Sequence, residues 1–495
     1  MPQFAAALEQ LRLQRFSAPA CEAFLAESPW PELLRLMDED TLDSAERGAL
    51  LEIVEGLLLN EQVFAAVFLV EDNTQAKALL GCGEEAVMGT LARALGRHTP
   101  LLARTLEEAL QKNPPMAEEL LSGLFFLACD ELPDCSVAVL HFFCHLCVDS
   151  TVIESPAFMQ KLREMLCNPN VVVQIRAMEV LLNTAAVSPY IAHLYGEKRL
   201  YTLCLAIYRQ CAGDMLARLN VLEVMKVGCI VKPFLAVLED EDLQSELMGE
   251  LKNPATELYL RRDLVVLCIA LHKAREGSSV KELAPFLEMA TTFLKAEGEE
   301  FTAGVELLLH LLQFVEVLHE VSLSSEPKQL LLLDRKRDYE QAKLRELKVD
   351  VLVDEKWSLA TGHRAELSQQ LFETYFRLFY GHGDLGTDRC ADALFENIRT
   401  GVDNAEALNL RVLLKLLDYP ALLTHVLHMQ KAVELVAYLT GRDARSNEVL
   451  DLRAEVRDKI LERIDELKEK DENVKRLLTE LKRKPADAGV DTAAQ

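Results

Sequence analysis

Asn170-Val171-Val172-Val173-Gln174-Ile175-Arg176-Ala177-Met178-Glu179-Val180-Leu181 is answered, 44 residues on, by Asp214-Met215-Leu216-Ala217-Arg218-Leu219-Asn220-Val221-Leu222-Glu223-Val224-Met225. Each copy opens on a small polar residue suited to capping a helix and spaces its apolar residues three and four apart. Glu179 and Glu223 fall at matching points. Helical units recurring every 40 to 47 residues or so mark armadillo and HEAT arrays. The repeat predicts an all-α protein, an armadillo/HEAT-like α-solenoid wound as a right-handed superhelix of roughly 40–45-residue units. Because a solenoid repeat packs only on its neighbours, even a long chain needs no domain break, and one continuous superhelix is expected.

Outward from this stretch, polar connections fall near Gly81-Cys82-Gly83, Leu132-Pro133-Asp134, Asn168-Pro169-Asn170, Ala212-Gly213-Asp214, Asn253-Pro254 and Glu297-Gly298. Their spacing suits natural armadillo/HEAT units better than ankyrin or tetratricopeptide repeats of about 33 or 34 residues. Towards the N-terminus, residues 4–27 read as an opening helical pair. Trp30 starts a helix through Leu36, and Ser44 is expected to cap a helix over Ala45–Leu59 whose Leu50, Ile53, Val54 and Leu57 form one apolar stripe. The array continues through a very apolar helix over Phe301–Val321, so residues 1–327 form the N-terminal array. Residues 328–364 change character. A helix rich in Arg335, Lys336, Arg337, Lys343, Arg345 and Lys348 runs into an irregular insert around Trp357. Residues 365–484 resume with repeats and end in charged capping helices over Asn447–Lys484, and residues 485–495 read as a disordered tail.

Hydrophobic residues make up 50% of the chain, with only 21 Gly and 17 Pro, which fits helices and disfavours an all-β fold with many turns. The formal charge of −26 opposes general binding to nucleic acid or to an anionic membrane. The 12 cysteines sit mostly in apolar helical runs and read as small buried hydrophobes in a reducing compartment. The first residues lack the pattern of a signal peptide and no apolar run reaches the ~18 residues of a membrane span, so a cytoplasmic location with nuclear access is expected.

Chemistry has few places to reside. Cys129, Cys135, His141, Cys144, His145 and Cys147 include a Cys-x-x-Cys pair, but the residues between them follow a buried-helix pattern, whereas structural zinc pairs favour turns. No phosphate-binding Gly-rich loop, nucleophile elbow or His-Glu-x-x-His helix occurs. The expectation is a protein that is not an enzyme and takes no cofactor or metal. What remains is the surface of the last helix in each repeat, where Gln174, Arg176 and Asn183, then Arg218, Asn220 and Lys226, then Arg261, Arg262 and Lys273 offer polar positions to a protein partner.

These residues sit in an order of blocks that resembles the proteasome 26S non-ATPase regulatory subunit 5 family. The blocks are Leu33-Leu34-Arg35-Leu36-Met37 with the Leu50–Leu58 helix, Ala78-Leu79-Leu80 with Ala86–Leu95, Leu162–Pro189 ending in Ala186-Val187-Ser188-Pro189, and Ala432–Val436 through Val456–Lys459. The resemblance implies a helical-repeat chaperone, monomeric when free, that holds an ATPase subunit while the base of the regulatory particle assembles. The charged Asn447–Lys484 segment and the Trp357 insert depart from that family. A general armadillo adaptor for transport or signalling is the competing expectation, although Trp30 and Trp357 do not form the recurrent Trp-x-x-x-Asn pattern of importin-alpha-like grooves. An enzyme with an unrecognised site is the third.

Overall fold

A computed structural model describes residues 3–38, 42–68, 79, 85–128, 133–149, 151–275, 280–323, 331, 338–354, 357, 363–381, 386–400, 405–441, 446–463 and 472–482. Among them every regular element is helical. The expected turn at Gly81-Cys82-Gly83, the basic residues Arg335–Arg337 and the tail at 485–495 lie outside the described residues, as does Cys129. The chain falls into two compact units, Met1–Glu276 and Gly277–Gln495.

In the first unit the helices Gln3–Leu13, Ser44–Leu59, Glu85–Arg97, Pro133–Asp149, Val171–Val187, Met215–Gly228 and Leu258–Ala274 each pack on the next, forming a ladder. Further helices lie between them in sequence and pack on one another, as Ala18–Glu27 does against Glu61–Phe68. In the second unit the ladder is Glu299–Leu311, Asp338–Val353, Ala405–Leu416 and Asn447–Arg463. The chain is therefore an all-α, armadillo/HEAT-like α-solenoid in its local construction. Long-range polar bonds repeat the period. Asn60 Nδ2 donates to Phe16 O, 44 residues away, at 2.8 Å, and Thr151 N to Glu107 Oε1, again 44 away, at 3.1 Å. In the second unit Gly298 N reaches Glu340 Oε1 across 42 residues at 2.8 Å. Each bond ties one repeat to the next, as nearest-neighbour packing requires.

Apolar periodicity explains the core. Leu50, Ile53, Val54 and Leu57 are buried on one face of their helix. Its cap is Asp43, one residue before the expected Ser44, and the Asp43 carboxylate accepts from Ala45 N at 3.0 Å and Glu46 N at 2.9 Å. Phe125, Phe143 and Phe158 form an aromatic cluster with centroids 5.0–5.3 Å apart, in the range where ring quadrupoles favour tilted or edge contacts.

Two expectations change. The apolar run Phe301–Val321 is two helices, Glu299–Leu311 and Val315–Leu323, joined by a turn in which Phe314 N bonds Leu311 O. Phe301, Leu307, Leu308 and Leu311 on the first and Val317, Leu318 and Val321 on the second are buried, so a run apolar enough for one helix is divided between two. The irregular insert also has a buried anchor. The Asp338 helix extends to Val353, and Trp357 is only 3% exposed. Its indole Nε1 donates to Val351 O at 2.7 Å and its ring stands edge-on to Phe372 at 5.5 Å. The charged C-terminal helices keep an apolar side inward, with Val449, Val456 and Ile460 on Asn447–Arg463 and Val474, Leu477 and Leu481 on Glu472–Lys482.

Candidate protein-binding ladder

Three consecutive ladder helices start in register. Asn170 Oδ1 accepts from Val172 N at 2.9 Å, and Asp214 Oδ1 from Ala217 N at 3.0 Å. Each thereby satisfies a donor that the first helical turn leaves free. The third helix follows Glu257, which makes no side-chain cap bond. Counting from these caps, Gln174, Arg218 and Arg261 are equivalent, and all three point into the packing between helices. Gln174 is buried. Arg218 Nη2 meets Glu250 Oε2 at 2.5 Å and Tyr208 Oη at 3.0 Å, and the guanidinium carbon lies 4.9 Å from the centre of the Tyr208 ring. Arg261 Nη2 donates to Thr256 O at 3.1 Å. Arg218 thus secures the seam between two repeats. Burial pushes the Tyr208 hydroxyl upward, against the pull of the arginine, so it stays a protonated donor to Glu250.

The remaining expected site residues lie nearer the surface. Arg176 pairs with Glu179 at 2.8 Å, and Asn183 Nδ2 donates to the Glu179 carbonyl at 2.8 Å, one small network on one helix. Lys226 pairs with Glu223 at 2.5 Å. Arg262 Nε meets Asp263 Oδ1 at 2.9 Å while its guanidinium carbon lies 5.6 Å from the Tyr259 ring centroid. Asn220 and Lys273 are exposed. Pairing within a helix neutralises these cations locally, which leaves them able to form hydrogen bonds at a small desolvation cost.

Sequence reasoning missed the apolar members of this surface. Val172, Leu216 and Tyr259 occupy equivalent positions, second after each cap, and are 47%, 69% and 40% exposed. The signal was available: Val172 and Leu216 match when the two copies are aligned on Asn170 and Asp214. Three apolar side chains recurring on stacked helices, flanked by Arg176, Asn220 and Arg262, give a surface of apolar anchors within a polar frame, the composition that protein interfaces use.

The cysteine–histidine stretch separates by face. On Pro133–Asp149 the side chains of His141 and His145 are exposed while Cys144 and Cys147 are half-buried, with Cys147 Sγ donating to Phe143 O at 3.3 Å. Burial pushes the Cys147 thiol up to about 12, far from the thiolate a metal requires. Among the described residues no three His, Cys, Asp or Glu side chains converge as a metal site, and no helix is long and apolar enough to cross a membrane.

No protein-family model and no curated protein matches the sequence. Solved structures are similar in fold. Yeast importin-beta (Kap95p) shares 11% identity at a TM-score of 0.48, with 88% of this chain and 57% of that one covered. Importin beta in an ammonium sulfate crystal shares 13% at 0.49, over 91% and 60%. The UNC-45 chaperone, which binds and folds muscle myosin, shares 13% at 0.41, over 96% and 68%. The chain thus spans little more than half the length of the importins. Likeness this distant carries no functional argument, and the chemistry of the ladder has to supply it.

Proposed function

We propose that this chain is a non-catalytic helical-repeat chaperone that binds an ATPase subunit during assembly of the 26S proteasome regulatory particle base. The observation that carries the binding role is the repeated exposure of Val172, Leu216 and Tyr259 at one register on stacked helices. A lone exposed apolar residue is ordinary, but apolar residues recurring along adjacent elements resemble the anchors of an interface. The ordered block resemblance from Leu33 to Lys459 supports the proteasomal partner. Arg176, Asn220 and Arg262 frame the anchors, with Asn183 and Lys226 alongside, whereas Gln174, Arg218 and Arg261 contribute from the packing beneath.

Affinity purification of the full chain from its native cell, followed by mass spectrometry, tests the partner. Base ATPases recovered without the core peptidase particle support the reading. Cargo together with a transport receptor, and no proteasome component, replaces it with a transport adaptor. Tyr259→Ala combined with Leu216→Glu is expected to weaken capture by about tenfold or more while leaving the helical circular dichroism unchanged, since a few anchors dominate most interfaces.

A further inference from the structure

Away from the ladder surface, a cavity of about 660 Å³ opens in the first unit, within the roughly 300–1,000 Å³ typical of small-ligand sites. Its walls come from the turn at Arg15-Phe16, the Ser44–Leu59 helix with Asn60 and Glu61, and the junction at Arg97-His98 that leads into the helix Thr99–Lys112. The turn is unusual, because Arg15 and Phe16 both adopt left-handed conformations, with φ of 51° and 49°. Such conformations persist in residues other than glycine only when the surroundings enforce them. Here Asn60 Nδ2 holds the Phe16 carbonyl at 2.8 Å, and the Phe16 ring occupies the space that a Cβ on Gly56 would need, 2.1 Å from its Cε1. Glycine at position 56 thus lets the turn close down and hold Arg15 at the cavity.

The charge around the cavity runs against the rest of the molecule. In a chain of formal charge −26 many described arginines have a carboxylate partner, as Arg12, Arg93, Arg209 and Arg275 do. Arg15, Arg97 and Arg104 line this cavity, are exposed and make no ion pair among the described residues. Glu61 is the only acid among the described residues of the wall. At the cavity wall His98 is 6% exposed, and its Nε2 is buried without a hydrogen-bond partner. His98 also stands at the start of Thr99–Lys112, with its ring 4.7 Å from that of Phe64.

We propose that this cavity is a binding site for a phosphate-class oxyanion, carried either by a small metabolite or by a phosphorylated side chain. Three guanidinium groups against one carboxylate leave a surplus of about two positive charges, which matches a phosphoryl group near neutral pH. Guanidinium forks fit phosphate oxygens in pairs. The site is distinct from the ladder surface and does not depend on the partner proposed above.

The test is isothermal titration calorimetry of the full chain at low salt. The probes are pyrophosphate and a short neutral peptide carrying one phosphoserine, with the unphosphorylated peptide as control. At least one phosphate probe is expected to saturate a single site below about 1 mM. Pyrophosphate alone saturating identifies a metabolite source, and the phosphopeptide saturating while its control does not identifies a modified protein. The Arg97→Gln/Arg104→Gln double variant should weaken that binding about a hundredfold, near tenfold for each charge-assisted contact, with an unchanged melting temperature because both side chains are exposed. Saturation should also move the imidazole proton resonance that disappears in His98→Gln. Two results overturn the proposal: neither probe saturates up to about 10 mM, or binding persists unchanged in the double variant.

Discussion

Arg453 shows most sharply what a single residue does in this fold. Its guanidinium donates to Glu406 Oε1 at 2.8 Å and lies 3.8 Å from the centre of the Tyr438 ring, while Tyr438 Oη donates to the same carboxylate oxygen at 2.5 Å. Both charged side chains are 7% exposed. Removing one partner leaves the other as a buried charge, so Glu406→Ala is expected to cost about 3–5 kcal/mol in chemical denaturation. Replacing both, as Glu406→Leu with Arg453→Met, should cost clearly less, and equal losses would show that the pair itself is not what matters. At His98 the same reasoning concerns pH. Burial holds its pKa below the ordinary 6.5, with Arg97 acting in the same direction and Glu61 and the carbonyls of Leu58 and Leu59 opposing. The unfolded chain therefore takes up the proton first, and stability declines as pH falls from about 6.5 towards the lower folded value. His98→Gln should flatten that part of a melting-temperature profile, and an unaltered slope would exclude His98 as its source. None of this could be read from sequence, because an exposed arginine and a seam arginine look alike. Arg218 took its place among the expected binding residues for that reason, since Tyr208 and Glu250, 10 and 32 residues away, become its partners only once the repeats stack.

Among elements, what was legible was whatever depends on near neighbours in the chain. Asn170 and Asp214 cap as expected because capping needs only a side chain and the next turn. The split of Phe301–Val321 was not legible, because a run apolar almost throughout lacks the periodic contrast that reveals where a helix stops. Trp357 escaped for the opposite reason, its short surroundings having no period although the indole itself is anchored on Val351 and Phe372. The first of those two helices meets its predecessor in the chain very closely. A Cβ on Gly304 would lie 2.8 Å from the backbone nitrogen of Leu294, on the preceding helix Ala284–Leu294. Backbone cannot rotate aside as a side chain can, so Gly304→Ala is expected to destabilise the protein by about 1–3 kcal/mol despite alanine's better helix propensity. A neutral or stabilising result in thermal melts would mean that the two helices can part without penalty.

For the whole molecule, the period of the sequence was enough to identify the architecture, whereas the exposed register of Val172, Leu216 and Tyr259 required knowing which apolar residues the stacking leaves uncovered. Stability in such an array is close to a sum over repeats and seams. Calorimetry is therefore expected to give a van't Hoff enthalpy below the calorimetric one, and equality of the two would indicate a single cooperative unit. The two Arg–Glu–Tyr clusters carry a further consequence, one of direction. Arg218 receives its carboxylate from Glu250, further along the chain, while Arg453 receives its own from Glu406, earlier in it. Trimming is therefore asymmetric. A fragment of the first unit that stops short of residue 250 strands a cation at its cut end, and a fragment of the second that starts after residue 406 strands one at its beginning. Workable boundaries for expressing either piece lie outside those carboxylates, wherever the cut falls relative to the helices.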